Sequence, residues 1–273
     1  NGLGERCFTP NRNPSRARLE RVREEVRGWQ ALLPPPLDSQ NKTYGAAIKL
    51  SDELWRFLAE MSGTLGIETP LRAMSKYQTR PVKLVKLGGH SVLQFSPDFF
   101  LCCLAEQRFI LARTLFREAA GLNLLERRVS TLDTPERILE RAIDYAEWRG
   151  QLRPYLEEFR GKNPSREVVQ LALEETYWAT GDPVYQKLAV ICHQGDWCPL
   201  FDREADLFAA SYCDLVGASQ ALVKSAFWGK QISRVCDKDG LGPLITAGRE
   251  CPALCLRLQT LWMSVADEVQ THQ

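Results

Sequence analysis

Histidine is scarce: His90, His193 and His272 are the only three in 273 residues. Imidazole is the commonest metal ligand and the usual acid–base group near neutral pH, so few histidine-based sites can be built from this chain. Net charge is lacking as well. Thirty-five Lys and Arg stand against 34 Asp and Glu, a formal charge of +1. So small a balance draws neither phosphate backbones nor anionic lipid, and no nucleic-acid partner is expected. No apolar run approaches the roughly 18 residues that span a bilayer, so no membrane insertion is expected. The opening residues Asn1 to Arg6 lack the apolar core of a signal peptide. A phosphate cradle is missing too, because Gly88-Gly89 and Gly240-Leu241-Gly242 fit neither phosphate-binding spacing. No repeat of fixed period occurs, which excludes the solenoid folds.

What the chain does contain is apolar substance, 44% hydrophobic residues, enough for a sizeable core. Its cysteines are odd in number: Cys7, Cys102, Cys103, Cys192, Cys198, Cys213, Cys236, Cys251 and Cys255. Several lie inside apolar helical patterns, where a free thiol behaves as a small hydrophobe. The cytoplasm or another reducing compartment is the expected location. Cys192-His193 with Cys198 lacks a paired C-x-x-C knuckle and a fourth ligand, and reads as a buried thiol followed by a loop thiol. Cys251 and Cys255 stand at i,i+4 among Leu254, Leu258 and Leu261 and read as core. Asp237-Lys238-Asp239-Gly240 lacks the bidentate Glu of a calcium loop. No metal and no cofactor are expected.

Periodicity predicts a mainly α chain with a small β-hairpin, an α+β class. Residues 14–29 alternate Arg and Glu around Leu19, Val22, Val26 and Trp29, a helical stripe. Leu33-Pro34-Pro35-Pro36-Leu37 breaks it. Residues 1–37 are therefore expected to form an N-terminal arm with a proline spacer, its stripe packed on the same chain, and residues 38–273 a single domain. Ser51-Asp52-Glu53 opens the next helix, which ends at Gly63 and Gly66. Pro81 to Leu87 and Ser91 to Phe95 read as two strands joined at Gly88-Gly89-His90. A short apolar helix over 99–103 follows, then helices over 106–120, 135–148, 151–160, 165–179, 183–192, 202–215, 218–227 and 251–269. The helix over 106–120 stops at Gly121-Leu122-Asn123.

Two stretches about ninety residues apart carry the functional reading. The first is the helical run from Glu106 through Arg113, Thr114 and Arg117 to Ala120, preceded by Ser91 to Leu101. The second is Asp202-Arg203-Glu204-Ala205-Asp206-Leu207-Phe208-Ala209-Ala210. In order and spacing, over about residues 45–230, this resembles the CAAX prenyl protease and HtpX-type zinc metallopeptidases of the gluzincin kind. There an edge strand and short helix lead into H-E-x-x-H, and a later helix reads E-x-x-A-D-x-x-A. The i,i+4 imidazoles bind Zn²⁺, the Glu between them is the general base, and a later carboxylate completes the site.

The departures fall on the chemistry. The resemblance puts Arg113 and Arg117 where the histidines belong, Thr114 where the Glu belongs, and Asp202 where the third ligand belongs, with Asp206 one turn further on. Guanidinium groups do not coordinate zinc, and a Thr cannot activate water as the Glu does. The resemblance therefore implies a zincin-like helical domain without its metal, a pseudoenzyme with no catalytic residue that serves as a protein-binding or scaffold module. It also implies that Arg113 or Arg117 pairs with Asp202 or Asp206. The alternative is an active hydrolase or metal protein whose ligands come from His90, His193, Asp202, Glu204 and the cysteines.

Overall fold

The computed structural model describes residues 12–30, 33, 45–70, 72–76, 78, 80–87, 90–129, 131–132, 134–151, 154–194, 199–226, 228 and 252–271. The fold is mainly helical with one small sheet. The helices are α1 (Arg12–Gln30), α2 (Asp52–Leu65), α3 (Leu104–Ala119), α4 (Leu122–Val129), α5 (Pro135–Arg149), α6 (Pro154–Glu157), α7 (Arg166–Thr180), α8 (Pro183–Gln194), α9 (Pro199–Ala210), α10 (Leu215–Ala226) and α11 (Pro252–Thr271). A 3-10 turn, Pro97–Leu101, precedes α3. No helix among the described residues is long and apolar enough to cross a membrane.

Strands β1 (Ala46–Ala47), β2 (Arg72–Ser75), β3 (Val82–Leu87) and β4 (His90–Phe95) form a sheet in the order β1-β2-β4-β3. The expected hairpin is β3 and β4, antiparallel, with Leu84 opposite Leu93. Two strands were not anticipated: β2 runs parallel to β4, with Ala73 opposite Leu93, and β1 pairs antiparallel with β2. Flanked on both sides, β4 is central, which is why Ser91 to Phe95 are all buried. His90, expected in the turn, is the first, exposed residue of β4.

Contacts divide the chain into two compact units, Asn1–Arg23 with Gln40–Ala120 and Phe201–Gln273, and Glu24–Ser39 with Gly121–Leu200, so the division falls within α1. Leu19, Val22, Val26 and Trp29, the stripe of α1, are all buried within this chain. Each such burial is worth about 1.5–3 kcal/mol, which explains why a helix so charged stays docked. The proline run at 34–36, where the arm was expected to end, lies outside the described residues.

The first unit packs α3 against α2, β3 and α10, and α10 against α11. Its core includes Leu58, Met61, Phe95, Phe99, Phe109, Phe116 and Phe208. Gly217 lets α10 approach α3 closely, since a Cβ there would lie 2.8 Å from the Ala105 Cβ. The second unit packs α5, α7 and α8 on one another, with α6 against α5 and α7.

Three boundaries differ from expectation. The helix expected over 106–120 does end there, at Ala119, but the stop expected over 121–123 narrows to Gly121 alone, at φ +77°, a single left-handed break. Leu122 and Asn123 then begin α4, which buries Leu122, Leu125 and Val129 at helical spacing. The helix expected over 151–160 shrinks to the single turn α6, followed by tight i,i+3 bonds from Phe159 to Leu156 and from Arg160 to Glu157. The helix expected over 202–215 ends at Ala210, because the Asp214 carboxylate accepts from Gly217 N at 2.7 Å and caps α10.

Candidate functional site

Residues four apart on a helix share a face. Arg113 and Arg117 do so on α3, and Asp202 and Asp206 do so on α9. The two faces meet. Arg113 Nε donates to Asp206 Oδ1 at 2.8 Å, and its Nη2 lies 2.9 Å from Asp202 Oδ1. Arg117 Nη1 donates to the same Asp202 oxygen. Beside them, Phe116 of α3 stacks on Phe208 of α9 with centroids 4.9 Å apart.

A fifth member comes from α11. Arg257 grips Asp206 with two bonds, Nε to Oδ2 at 2.7 Å and Nη2 to Oδ1 at 2.9 Å, and its Nη1 lies 3.8 Å from Asp202 Oδ2. Only a guanidinium offers that planar two-pronged donor. The Asp206 side chain is 2% exposed and that of Arg117 8%, so the charges are largely removed from water. Sequence reasoning placed Leu254 and Leu261 of this helix in the core and passed over Arg257. The signal was a cation at i+3 from one buried leucine and four before another, inside an apolar seam.

The electrostatics follow from this packing. Burial alone would raise the Asp202 carboxyl, but the guanidiniums of Arg113, Arg117 and Arg257, with Arg80, outweigh it and hold the group below its ordinary value. Burial would likewise discharge Arg257, yet Asp206 and then Asp202 hold its pKa above the usual guanidinium range. Thr114 takes no part, since its hydroxyl donates to Ile110 O at 2.8 Å within its own helix.

These residues do not fit zinc. Three guanidiniums offer donors and no lone pair, and both carboxylates are occupied by them. Among the described residues no three His, Cys, Asp or Glu side chains group as a metal requires. Glu204 pairs with Arg18 at 3.0 Å, and His193 Nδ1 lies 3.1 Å from Gln170 Oε1. Cys192 is buried at the end of α8, where its thiol donates to Arg166 O at 3.3 Å. Cys255, expected in the core, is exposed, because Leu254 and Leu261 define the buried side of α11. Cys7, Cys198, Cys236, Cys251, His272 and the stretch 237–240 lie outside the described residues.

A second buried ion pair went unread in the sequence. Glu106, in the first turn of α3, accepts from Cys103 N at 2.8 Å and lies 2.9 Å from Lys224 Nζ of α10. Lys224 falls two turns after Gly217, on the face that glycine brings close to α3. Burial and then the Glu106 carboxylate push the neighbouring Cys102 thiol up to about 12.

No protein-family model, no characterised protein and no solved structure matches the chain.

Proposed function

We propose that this chain is a zincin-like metallopeptidase domain that has lost its chemistry and acts as a protein-binding or scaffold module. The observation that carries the proposal is the ion network of Arg113, Arg117, Arg257, Asp202 and Asp206. Its members Arg113, Arg117 and Asp202 stand at the positions that the resemblance assigns to zinc ligands, and no metal site can be assembled from side chains so paired. The order of β4, the 3-10 turn, α3 and α9 supports the same reading.

Elemental analysis of the purified chain, with hydrolysis of generic peptides measured with and without a chelator, tests the loss. The expected result is no stoichiometric metal and no chelator-sensitive hydrolysis. Restoring the ligand pattern with Arg113→His, Thr114→Glu and Arg117→His together is expected to yield no peptidase, because metal sites also need oriented supporting groups. Stoichiometric zinc or chelator-sensitive turnover overturns the proposal and favours an active hydrolase or metal protein with another site.

The binding role is supported by an apolar groove of about 250 Å³ lined by Tyr155, Phe159, Val168, Leu171 and Ala172 and edged by Glu158 and Glu175. Its chemistry suits an amphipathic partner helix with aliphatic anchors flanked by Lys or Arg. A synthetic Leu/Lys amphipathic helix is expected to bind and a Leu/Glu helix is not, with Leu171→Asp abolishing the interaction. Equal binding of both peptides refutes the acidic-rim argument.

A further inference from the structure

The second unit contains a cleft of about 960 Å³ between the ends of α5 and α7 and the start of α8. Its floor is a closed polar network. Asp182 Oδ2 accepts from Tyr145 Oη at 3.0 Å and Gln151 Nε2 at 3.2 Å, while Oδ1 accepts from Val184 N at 3.1 Å. Gln151 Oε1 in turn accepts from Tyr185 Oη at 2.6 Å. Pro183, with no N–H to satisfy, follows Asp182 at the first position of α8. The helix end is therefore already capped, and the carboxylate already serves several donors. A floor so fully engaged supplies shape and rigidity, not a reactive base.

The walls have a different character. Arg141, Arg149 and Lys187 line them with Trp148, and Asp182 is the only carboxylate among the lining residues. Lys187 Nζ lies 5.4 Å from the Trp29 ring centroid, and Gly28 leaves room beside it, where even a Cβ would stand 3.5 Å from that ammonium. Arg149 rests 5.9 Å from the Trp148 ring centroid. It approaches Asp182 only to 3.8 Å, too far for a good hydrogen bond. Trp148 is 76% exposed, an apolar area that gains by being covered. Three cations and one committed carboxylate therefore line the cleft, next to an exposed aromatic ring.

We propose that this cleft binds a small polyanion bearing a planar ring, the chemistry of a nucleotide, with the ring stacked on Trp148 and the anionic groups held by Arg149, Lys187 and Arg141. Each half of the site answers one half of such a ligand: stacking on an aromatic face is tolerant of ring identity, and clustered Arg and Lys select phosphate. The role is binding, since the residues that could move a proton are locked in the floor.

Calorimetric titration of the full chain with ADP tests this, with adenosine as the ring alone and inorganic pyrophosphate as the charge alone. ADP is expected to bind at least tenfold tighter than either half, and more weakly as salt rises. Trp148→Ala and Arg149→Glu, both at exposed positions, are each expected to weaken ADP at least tenfold without altering the circular dichroism. Absence of ADP binding at millimolar concentration overturns the proposal, as does an ADP affinity that neither substitution changes. Pyrophosphate binding as tight as ADP overturns the role of Trp148. The cleft lies in the second unit, so these outcomes leave the reading of the α3–α9 network untouched.

Discussion

Asp206→Ala is the sharpest perturbation of the ion network. The substitution removes three charge-assisted hydrogen bonds, one from Arg113 and two from Arg257, from a carboxylate whose side chain is 2% exposed. It leaves three guanidiniums facing Asp202 alone. Asp202 already takes Arg113 and Arg117 on one oxygen and cannot fully satisfy Arg257. Breaking a buried ion pair from one side costs about 3–5 kcal/mol, because the stranded charge keeps its desolvation penalty. With a urea slope of about 2 kcal/mol/M, the midpoint should fall by about 1.5–2.5 M.

The partner substitution separates coupling from bulk loss. Arg257→Met leaves Asp206 still held by Arg113, so it should cost less, about 1–3 kcal/mol. Because the two residues act on each other, the double variant should be about 1–3 kcal/mol more stable than the sum of the singles predicts. Hydrogen exchange read by mass spectrometry places the effect: protection should fall in α3, α9 and α11 and persist in α5, α7 and α8. A cost below about 1 kcal/mol for Asp206→Ala, or a cycle additive within about 0.5 kcal/mol, refutes the reasoning.

Three further outcomes are expected. The Asp202 carboxyl is held below its ordinary value of 3.8, so its contribution is intact above about pH 4 and lost as pH falls through the depressed folded value; wild type should therefore lose stability more steeply than Asp202→Asn in acid melts, and parallel profiles would refute this. Iodoacetamide should label exposed Cys103 and Cys255 before Cys102 and Cys213, whose thiols burial pushes up to about 12, and before Cys192, raised for the same reason. Peptide mass mapping that shows equal rates would contradict it. Gly217→Val forces atoms into the space facing Ala105 and should cost about 1–3 kcal/mol in thermal unfolding, while a change below about 0.5 kcal/mol would deny the close approach of α10 to α3.

What could be read from the sequence depended on how local each signal was. The stripe Leu19, Val22, Val26, Trp29 and the hairpin over 82–95 are contiguous patterns, and both are present. The cap of Ser51 sits where the sequence pattern placed it. Strand β1 was invisible because two alanines carry no period; it exists through its pairing with β2. The α3–α9 ion pairs were anticipated only through the resemblance, which implied that Arg113 or Arg117 meets Asp202 or Asp206; neither i,i+4 spacing alone says that the two helices touch. Arg257 and the Lys224–Glu106 pair were missed because their partners lie 51 and 118 residues away. A lone cation in an apolar seam nevertheless marks both, since such a charge is rarely buried without an opposite charge.

A metal site fixes two helices to each other through a few directional bonds. On the reading proposed here, the Arg–Asp network holds α3 and α9 by a different physics, and stability alone does not explain it. Well-packed apolar side chains of the same volume often stabilise a core as much as a buried ion network, or more. What an ion network adds is discrimination. Two cations one turn apart on α3 meet two carboxylates one turn apart on α9, and Arg257 closes the set from α11. Sliding either helix by a residue would rotate its charges by about 100° and strand them in a poorly solvated place, at several kcal/mol each. Phe116 on Phe208, by contrast, would tolerate many offsets. The charges therefore select the one register in which α3, α9 and α11 meet, and a domain kept for its surface needs that geometry as much as one kept for catalysis.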